Sequence, residues 1–309
     1  MTLETRTQPT LEQYTAYKER FNNWNRWGAD DQLGTLNHIT DEARREATGL
    51  VRNGRTVSLA NPIATEGVIS GPRNPRPADH RMTVGPSSSG DYIGVSYHGF
   101  VNTHIDALCH IFTGENGQLY NGRDAKLVTE ERAYTNSVDY WRDGIVTRGV
   151  LYDIPAMRGT DHVTLDDPVE GWHLQEWAER QHIVPRAGDA VLIRSGAEPF
   201  YRLNPDHEFG GVPSKNPGVG VSAIEFLYET DAALLGWDLQ EAGGQEQFGR
   251  IPIHEVVIPH MGLPLLDNAN FERLSEVCAE HGRYEFLLVI APLVVIGGTG
   301  SPVNPIATF

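Results

Sequence analysis

The sequence predicts a single α/β domain built on a mixed β-sheet. Short runs at 149–154 and 190–194 read as buried strands, each followed by a breaker, and 234–237 reads as a further strand. Helical patterns at 172–181, 222–229 and 271–281 fall between and after them. The two kinds of segment do not alternate strictly, which argues against a doubly wound nucleotide-binding fold.

Taken in order, residues 1–55 read as a helical extension packed on a core that occupies 56–309. LEQYTAYKERFNNWNRWG is aromatic-rich and helical, and a second helix follows Thr40 as N-cap, with Gly49 or Gly54 as its stop. Thr56 to Leu59 reads as a strand. Residues 62–91, rich in Pro, Gly, Ser and Arg, read as one long loop. A strand is expected from Tyr92 toward Ile111. Gly210 to Gly220 is a second breaker-rich loop. Ser222 and Glu225 have the spacing of a capping box. Tyr284 to Ile296 supplies the closing strands. Loops 62–91 and 200–220 are expected to shape a pocket.

Composition limits the function. The chain has 309 residues, 39% hydrophobic and 21% charged, as an ordinary globular protein does. Its formal charge of -16 argues against nucleic acid and anionic membrane as partners and says little about the substrate, which the motifs below lead us to expect to be a small molecule. Cys109 and Cys278 are isolated thiols, which fits a reducing, cytoplasmic setting. The opening MTLETRTQPTLEQY has no apolar run, so no signal peptide is expected. Phe286 to Gly298 is too short for a membrane helix, contains Pro292, and reads as a buried strand or strand pair.

The chemistry centres on Asn102-Thr103-His104-Ile105-Asp106-Ala107-Leu108-Cys109-His110. On an extended backbone His104 and Asp106 share a face. An imidazole and a carboxylate there make half of a divalent-metal site, although such a pair is more often just hydrogen-bonded. His110 follows as a candidate general acid/base. His254 and Asp267 offer matching ligands in the C-terminal half. Cys109 beside His110 reads as a packed thiol rather than a nucleophile. No Gly-x-Ser-x-Gly elbow and no His-Glu-x-x-His occurs, and Gly297-Gly298-Thr299-Gly300 does not match a nucleotide loop.

These residues resemble the cyclase family that includes bacterial kynurenine formamidase and isatin hydrolase. The family's His-x-Gly-Thr-His-x-Asp-x-x-x-His is matched from Thr103 to His110. Its later histidine and Gly-x-x-x-x-Glu-Asn look like His254 and Gly262-Leu263-Pro264-Leu265-Leu266-Asp267-Asn268. Gly300-Ser301-Pro302-Val303 matches a closing segment, and Arg26 to Gly34 resembles the longer branch. The resemblance implies a swivelling β/β/α fold, a homodimer or homotetramer, and metal-assisted hydrolysis of an amide or cyclic amide. It implies zinc or manganese on His104, Asp106, His254 and Asp267, with His110, His104 and Asp106 as catalytic residues. Phe100, Asn102, Trp27 and Tyr92 are the candidate substrate contacts.

One departure matters. The family's first metal-binding histidine falls at position 100, where this chain has Phe100. His98 shares parity with His104, but six extended residues span about 20 Å, so it reaches the site only if the chain bends. Three readings follow. In the first, one metal survives and serves hydrolysis of a non-peptide C–N bond, as in an N-formyl aryl amine, or of a small lactam or lactone. In the second, the metal is absent and a His/Asp acid-base site serves hydrolysis, or a cyclase or lyase reaction. In the third, the protein only binds its ligand.

Overall fold

The computed structural model describes residues 2–69, 74–113, 117–207 and 216–309. Eleven strands are assigned among them: β1 (Thr56–Ser58), β2 (Asp79–Val84), β3 (Ser89–Gly94), β4 (His104–Asp106), β5 (Ile145–Asp153), β6 (Ala190–Arg194), β7 (Leu234–Trp237), β8 (Leu265–Asp267), β9 (Glu285–Ile290), β10 (Gly300–Pro302) and β11 (Ile306–Thr308). Nine of them form one sheet in the order β1-β11-β9-β5-β6-β7-β8-β4-β10. The pairs β5–β6, β6–β7 and β7–β8 are parallel and the rest antiparallel, so the sheet is mixed as expected.

This order forces the sheet to curl. Strands β11 and β10 stand second and ninth in it, yet only residues 303–305 join them. Seven flat strand spacings would separate them by about 34 Å. The link from Pro302 to Ile306 reaches roughly 14 Å at most. The two ends of the sheet therefore approach each other, and Leu59 N–H donates to Pro305 O while Val303 N–H donates to Thr103 O across the gap.

Strands β6 and β7 are buried along their whole length, which is why they read as unbroken apolar runs. The helices Gly171–Arg180 and Ala223–Glu229 bury Leu174, Trp177, Ile224 and Phe226 in the core. The secondary structure described before β1 is helical. Helix Leu11–Arg20 is started by a capping box between Thr10 and Gln13, and its Tyr14 and Tyr17 are buried in the same core. Helix Asp41–Thr48 starts at Thr40, whose side chain accepts from Ala43 N–H. No described helix is long and apolar enough to cross a membrane.

Several expectations are corrected. Ser222 and Glu225 form no capping box. The Ser222 hydroxyl instead accepts from Gly171 N–H and donates to Glu170, and Glu225 accepts from Tyr17 OH and Thr2 N–H. The 62–91 stretch contains β2 and the start of β3, paired as a hairpin, all six β2 residues being exposed, so no buried face marked it in the sequence. Residues 70–73 of that stretch, and 208–215 of the 200–220 loop, lie outside the described residues. The strand expected from Tyr92 is broken between β3 and β4, where Gly99 has φ +138. The final apolar run stops at Ile290. Pro292 lacks the N–H to continue, and Leu293 to Ile296 are 44–56% exposed rather than buried.

Candidate active site

Strand β4 lies between β8 and β10, and its register fixes the site. His104 stands directly opposite Asp267, and Asp106 follows two residues on, facing the same side. All three are almost fully buried. His104 Nε2 lies 3.3 Å from Asp106 Oδ1 and 3.9 Å from Asp267 Oδ2. His254, on a short helical turn, brings Nε2 to 3.4 Å from Asp267 Oδ2 and 3.7 Å from Asp106 Oδ2. Segments about 150 positions apart in the chain thus converge, as the sequence required.

Each imidazole is aimed by its other nitrogen. His104 Nδ1 donates to Asn102 O at 2.8 Å, and His254 Nδ1 donates to Glu241 Oε1 at 2.5 Å. Both Nε2 atoms then face the carboxylates, the orientation a metal-ligating histidine needs. Asp267 is aimed in the same way: Trp237 Nε1–H donates to Oδ1 at 2.6 Å and Gln240 Nε2–H to Oδ2 at 2.8 Å.

The bend at 98–102 adds a residue that straight-strand reasoning placed out of reach. His98 Nδ1 lies 2.9 Å from Asp106 Oδ1, and its Nε2 is 2.9 Å from Thr299 Oγ1. The imidazole absent at position 100 is therefore matched by one from position 98. Gly99 is the sequence signal, because its backbone turns the segment out of strand geometry. Glu241, Gln240 and Trp237 were not anticipated, since their distance in sequence from His254 and Asp267 carries no local pattern.

His110 sits at the edge of the cluster, with Nε2 3.8 Å from Asp106 Oδ2. Burial lowers its pKa to about 4, the neighbouring imidazoles reinforcing burial and Asp106 opposing it, so it is neutral near pH 7. Burial disfavours the imidazolium at His104 and His254 too. At His104 the carboxylates of Asp106 and Asp267 outweigh it, at His254 those of Glu241 and Asp267, and both pKa values rise. Burial raises the Asp106 carboxyl, but His110, His104 and His98 together hold it well below the usual range. Cys109 is fully buried against Gly298 O, and burial pushes its thiol up to about 12, as a packed thiol rather than a nucleophile requires.

The donors fit a divalent cation. Ligand atoms of His98, Asp106 and His110, and of His104, Asp106 and Asp267, form two groups sharing Asp106, each within 4.8 Å. Asp106 Oδ1 lies 2.9 Å from His98 Nδ1 and 3.3 Å from His104 Nε2. Imidazole nitrogens crowded in this way on one buried carboxylate suit a divalent cation.

The four expected substrate contacts are held in different surroundings. Asn102 is 1% exposed. Its side chain accepts from Ala64 N–H, and its carbonyl accepts from His104 and Asn268, so it orients a ligand side chain. Trp27 packs edge-on against His38 beneath Arg26. Tyr92 stands on the exposed hairpin beneath Arg81. Phe100 lines a separate cavity behind the bend.

Comparison with known proteins gives a consistent picture. The profile of a family described as "Putative cyclase" matches residues 24–242. A crystal structure of a novel cyclase is similar over 94% of this chain and 100% of its own, with 27% identity and a TM-score of 0.80. An isatin hydrolase bound to the product analogue thioisatinate is 18% identical, with a TM-score of 0.59 over 84% of this chain and 93% of its own. Isatin hydrolase A from Labrenzia aggregata, bound to benzyl benzoate, is 22% identical, with a TM-score of 0.58 over 84% of this chain and 94% of its own. The last two likenesses are of fold alone. Among curated proteins, none matches this sequence.

Proposed function

The chain belongs to the cyclase family, and from that premise we propose that it hydrolyses a non-peptide C–N bond, in an N-formyl aryl amine or a small cyclic amide, or the C–O bond of a lactone. The observation that carries this reading is the convergence of His98, His104, Asp106, His254 and Asp267 in one cluster of side chains beside a neutral His110.

We assign the metal positions to His104, Asp106, Asp267 and His254, with His98 as the further imidazole; zinc or manganese suits this nitrogen and oxygen set. If bound there, a divalent ion would supply Lewis acidity toward the scissile carbonyl and a water of lowered pKa. The remaining work belongs to the chain. Neutral His110 accepts the proton of the attacking water at a ring nitrogen and returns it to the leaving nitrogen. Asp106 Oδ2, 3.8 Å away, stabilises the imidazolium while it carries that proton. Glu241 and the Asn102 carbonyl hold His254 and His104 with their Nε2 atoms inward, and Trp237 and Gln240 do the same for Asp267.

Two measurements test the proposal. Metal analysis with chelation is expected to find bound metal and to abolish turnover on its removal; full activity in metal-free protein removes the metal from the reading. Turnover in ¹⁸O-water is expected to label the product, and an unlabelled product would transfer the site to a cyclase or lyase reaction.

A further inference from the structure

We infer that Tyr14, Asn23 and Trp24 are positioning residues for His254, so that the segment before β1 serves the site as well as the core. His254 opens a short helical turn, His254–Val256, which continues as the wider turn Val257–Met261. Helical stretches this short do not hold themselves in water, and their end groups need partners from elsewhere. A metal ligand must nevertheless stay within about 0.5 Å of its working position.

The segment before β1 supplies partners at both ends of the turn. At its entry, Tyr14 OH donates to Pro252 O at 2.8 Å, a buried bond. At its exit, four consecutive carbonyls each accept from that segment. Trp24 Nε1–H donates to Pro259 O at 2.7 Å and Asn23 N–H to His260 O at 2.9 Å. Asn23 Nδ2–H donates to Met261 O at 3.0 Å and Thr35 N–H to Gly262 O at 2.8 Å. Carbonyls that a regular helix end leaves open are thereby all used.

The Arg26 to Gly34 stretch is the loop that joins these two grips. Arg26 donates to Asn23 Oδ1, and Asp31 accepts from Leu33 and Gly34 N–H, which turns the chain back toward Thr35. A Cβ at Gly34 would stand 1.9 Å from Gly262 O, so only glycine permits this approach. Rotation of the turn about its axis would carry His254 Nε2 away from Asp267 Oδ2 and Asp106 Oδ2, which lie 3.4 and 3.7 Å from it, and strain the bond from Nδ1 to Glu241. The grip stands on these bonds alone, whereas its consequence for a metal rests on the function proposed above.

Tyr14 and Tyr17 form a matched pair for the test. Each donates one buried hydroxyl from helix Leu11–Arg20, Tyr14 to Pro252 O and Tyr17 to Glu225 on helix Ala223–Glu229. A hydroxyl lost from a carboxylate costs at least as much stability as one lost from a carbonyl, so a purely structural role makes Tyr17→Phe the more damaging change in every readout. The first readout is histidine-selective NMR of the metal-free full chain, with the His254 signals assigned by His254→Gln. The second is zinc affinity, measured by competition with a chromophoric chelator. Tyr14→Phe, Trp24→Phe and Asn23→Ala are expected to shift the His254 ring resonances and to weaken zinc about tenfold, the scale on which groups that orient metal ligands act. Tyr17→Phe is expected to lower the unfolding midpoint and to leave both readouts unchanged. His254 resonances that stay in place in the three variants overturn the inference, and so does Tyr17→Phe moving them as far. Unchanged zinc affinity in the three variants, in a parent that binds zinc, overturns it as well. A parent that takes up no zinc removes the metal from the proposed function, while the ring resonances still decide the grip.

Discussion

His98 and His110 stack face to face, their ring centroids 3.8 Å apart and their planes 1° from parallel. Each faces a different oxygen of Asp106, His98 at 2.9 Å and His110 at 3.8 Å. The pair divides the labour proposed for the site. One ring is held by Thr299 as a donor, and the other, with Asp106 Oδ2 at 3.8 Å, is placed to carry a proton.

Alanine at the two positions should therefore fail differently. His98→Ala is expected to lower metal occupancy and activity together. His110→Ala is expected to keep the metal and lower kcat by about 10²–10⁴-fold, the range of general acid–base catalysis. Metal analysis beside steady-state kinetics checks both. Equal metal loss in the two variants would contradict the division.

Phe100→His restores the histidine of the family motif, yet it should restore nothing. The side chain at 100 lines the outer cavity, while His98 already occupies the approach to Asp106. The single variant is expected to bind metal as the parent does. The double variant His98→Ala/Phe100→His should remain as depleted as His98→Ala. Recovery of metal in the double variant would show that the bend re-registers.

These contrasts show what the sequence made legible. His104 and Asp106 were readable because strand parity is local and periodic, and Asp267 because its segment resembles the family's Gly-x-x-x-x-Glu-Asn. The central strands β6 and β7 were readable because burial on both faces writes continuous apolar runs. His98 was not, since its approach depends on one glycine dihedral, and parity along an assumed straight strand placed it about 20 Å away. Glu241 and Gln240 are reached only through the tertiary fold. The β2–β3 hairpin escaped because ladder hydrogen bonds without burial leave no hydrophobic alternation.

Asn268 holds the bend to β8 at a conformational cost. Its φ is +52, and its side chain donates to both Gly99 O and Asn102 O. Asn268→Ala loses both bonds and keeps an unfavourable dihedral, so it should destabilise by about 2–4 kcal/mol. Asn268→Gly loses the bonds but tolerates the dihedral, and about 1–2 kcal/mol is expected. Urea unfolding separates them. Equal losses would mean that the dihedral carries no strain.

His260 should make the fold acid-sensitive. It lies on the turn Val257–Met261, its Nε2 2.9 Å from Thr113 Oγ1, its Nδ1 buried without a partner, and its ring stacked on Trp24. Burial, with Lys18 adding to it, lowers its pKa from 6.5 to about 4. The unfolded chain takes up the proton near the ordinary value and the folded chain resists it. The stability it contributes is complete above about pH 6.5 and is lost as pH falls through about 4, an effect on the order of 2 kcal/mol. His110 and His173, also lowered to about 4, act in the same window. His260→Gln should therefore flatten the decline without abolishing it. Unfolding free energies at pH 7, 5.5 and 4.5 give the comparison, and an unchanged slope in the variant would place the titration elsewhere, because no other proton-binding group is altered by that substitution.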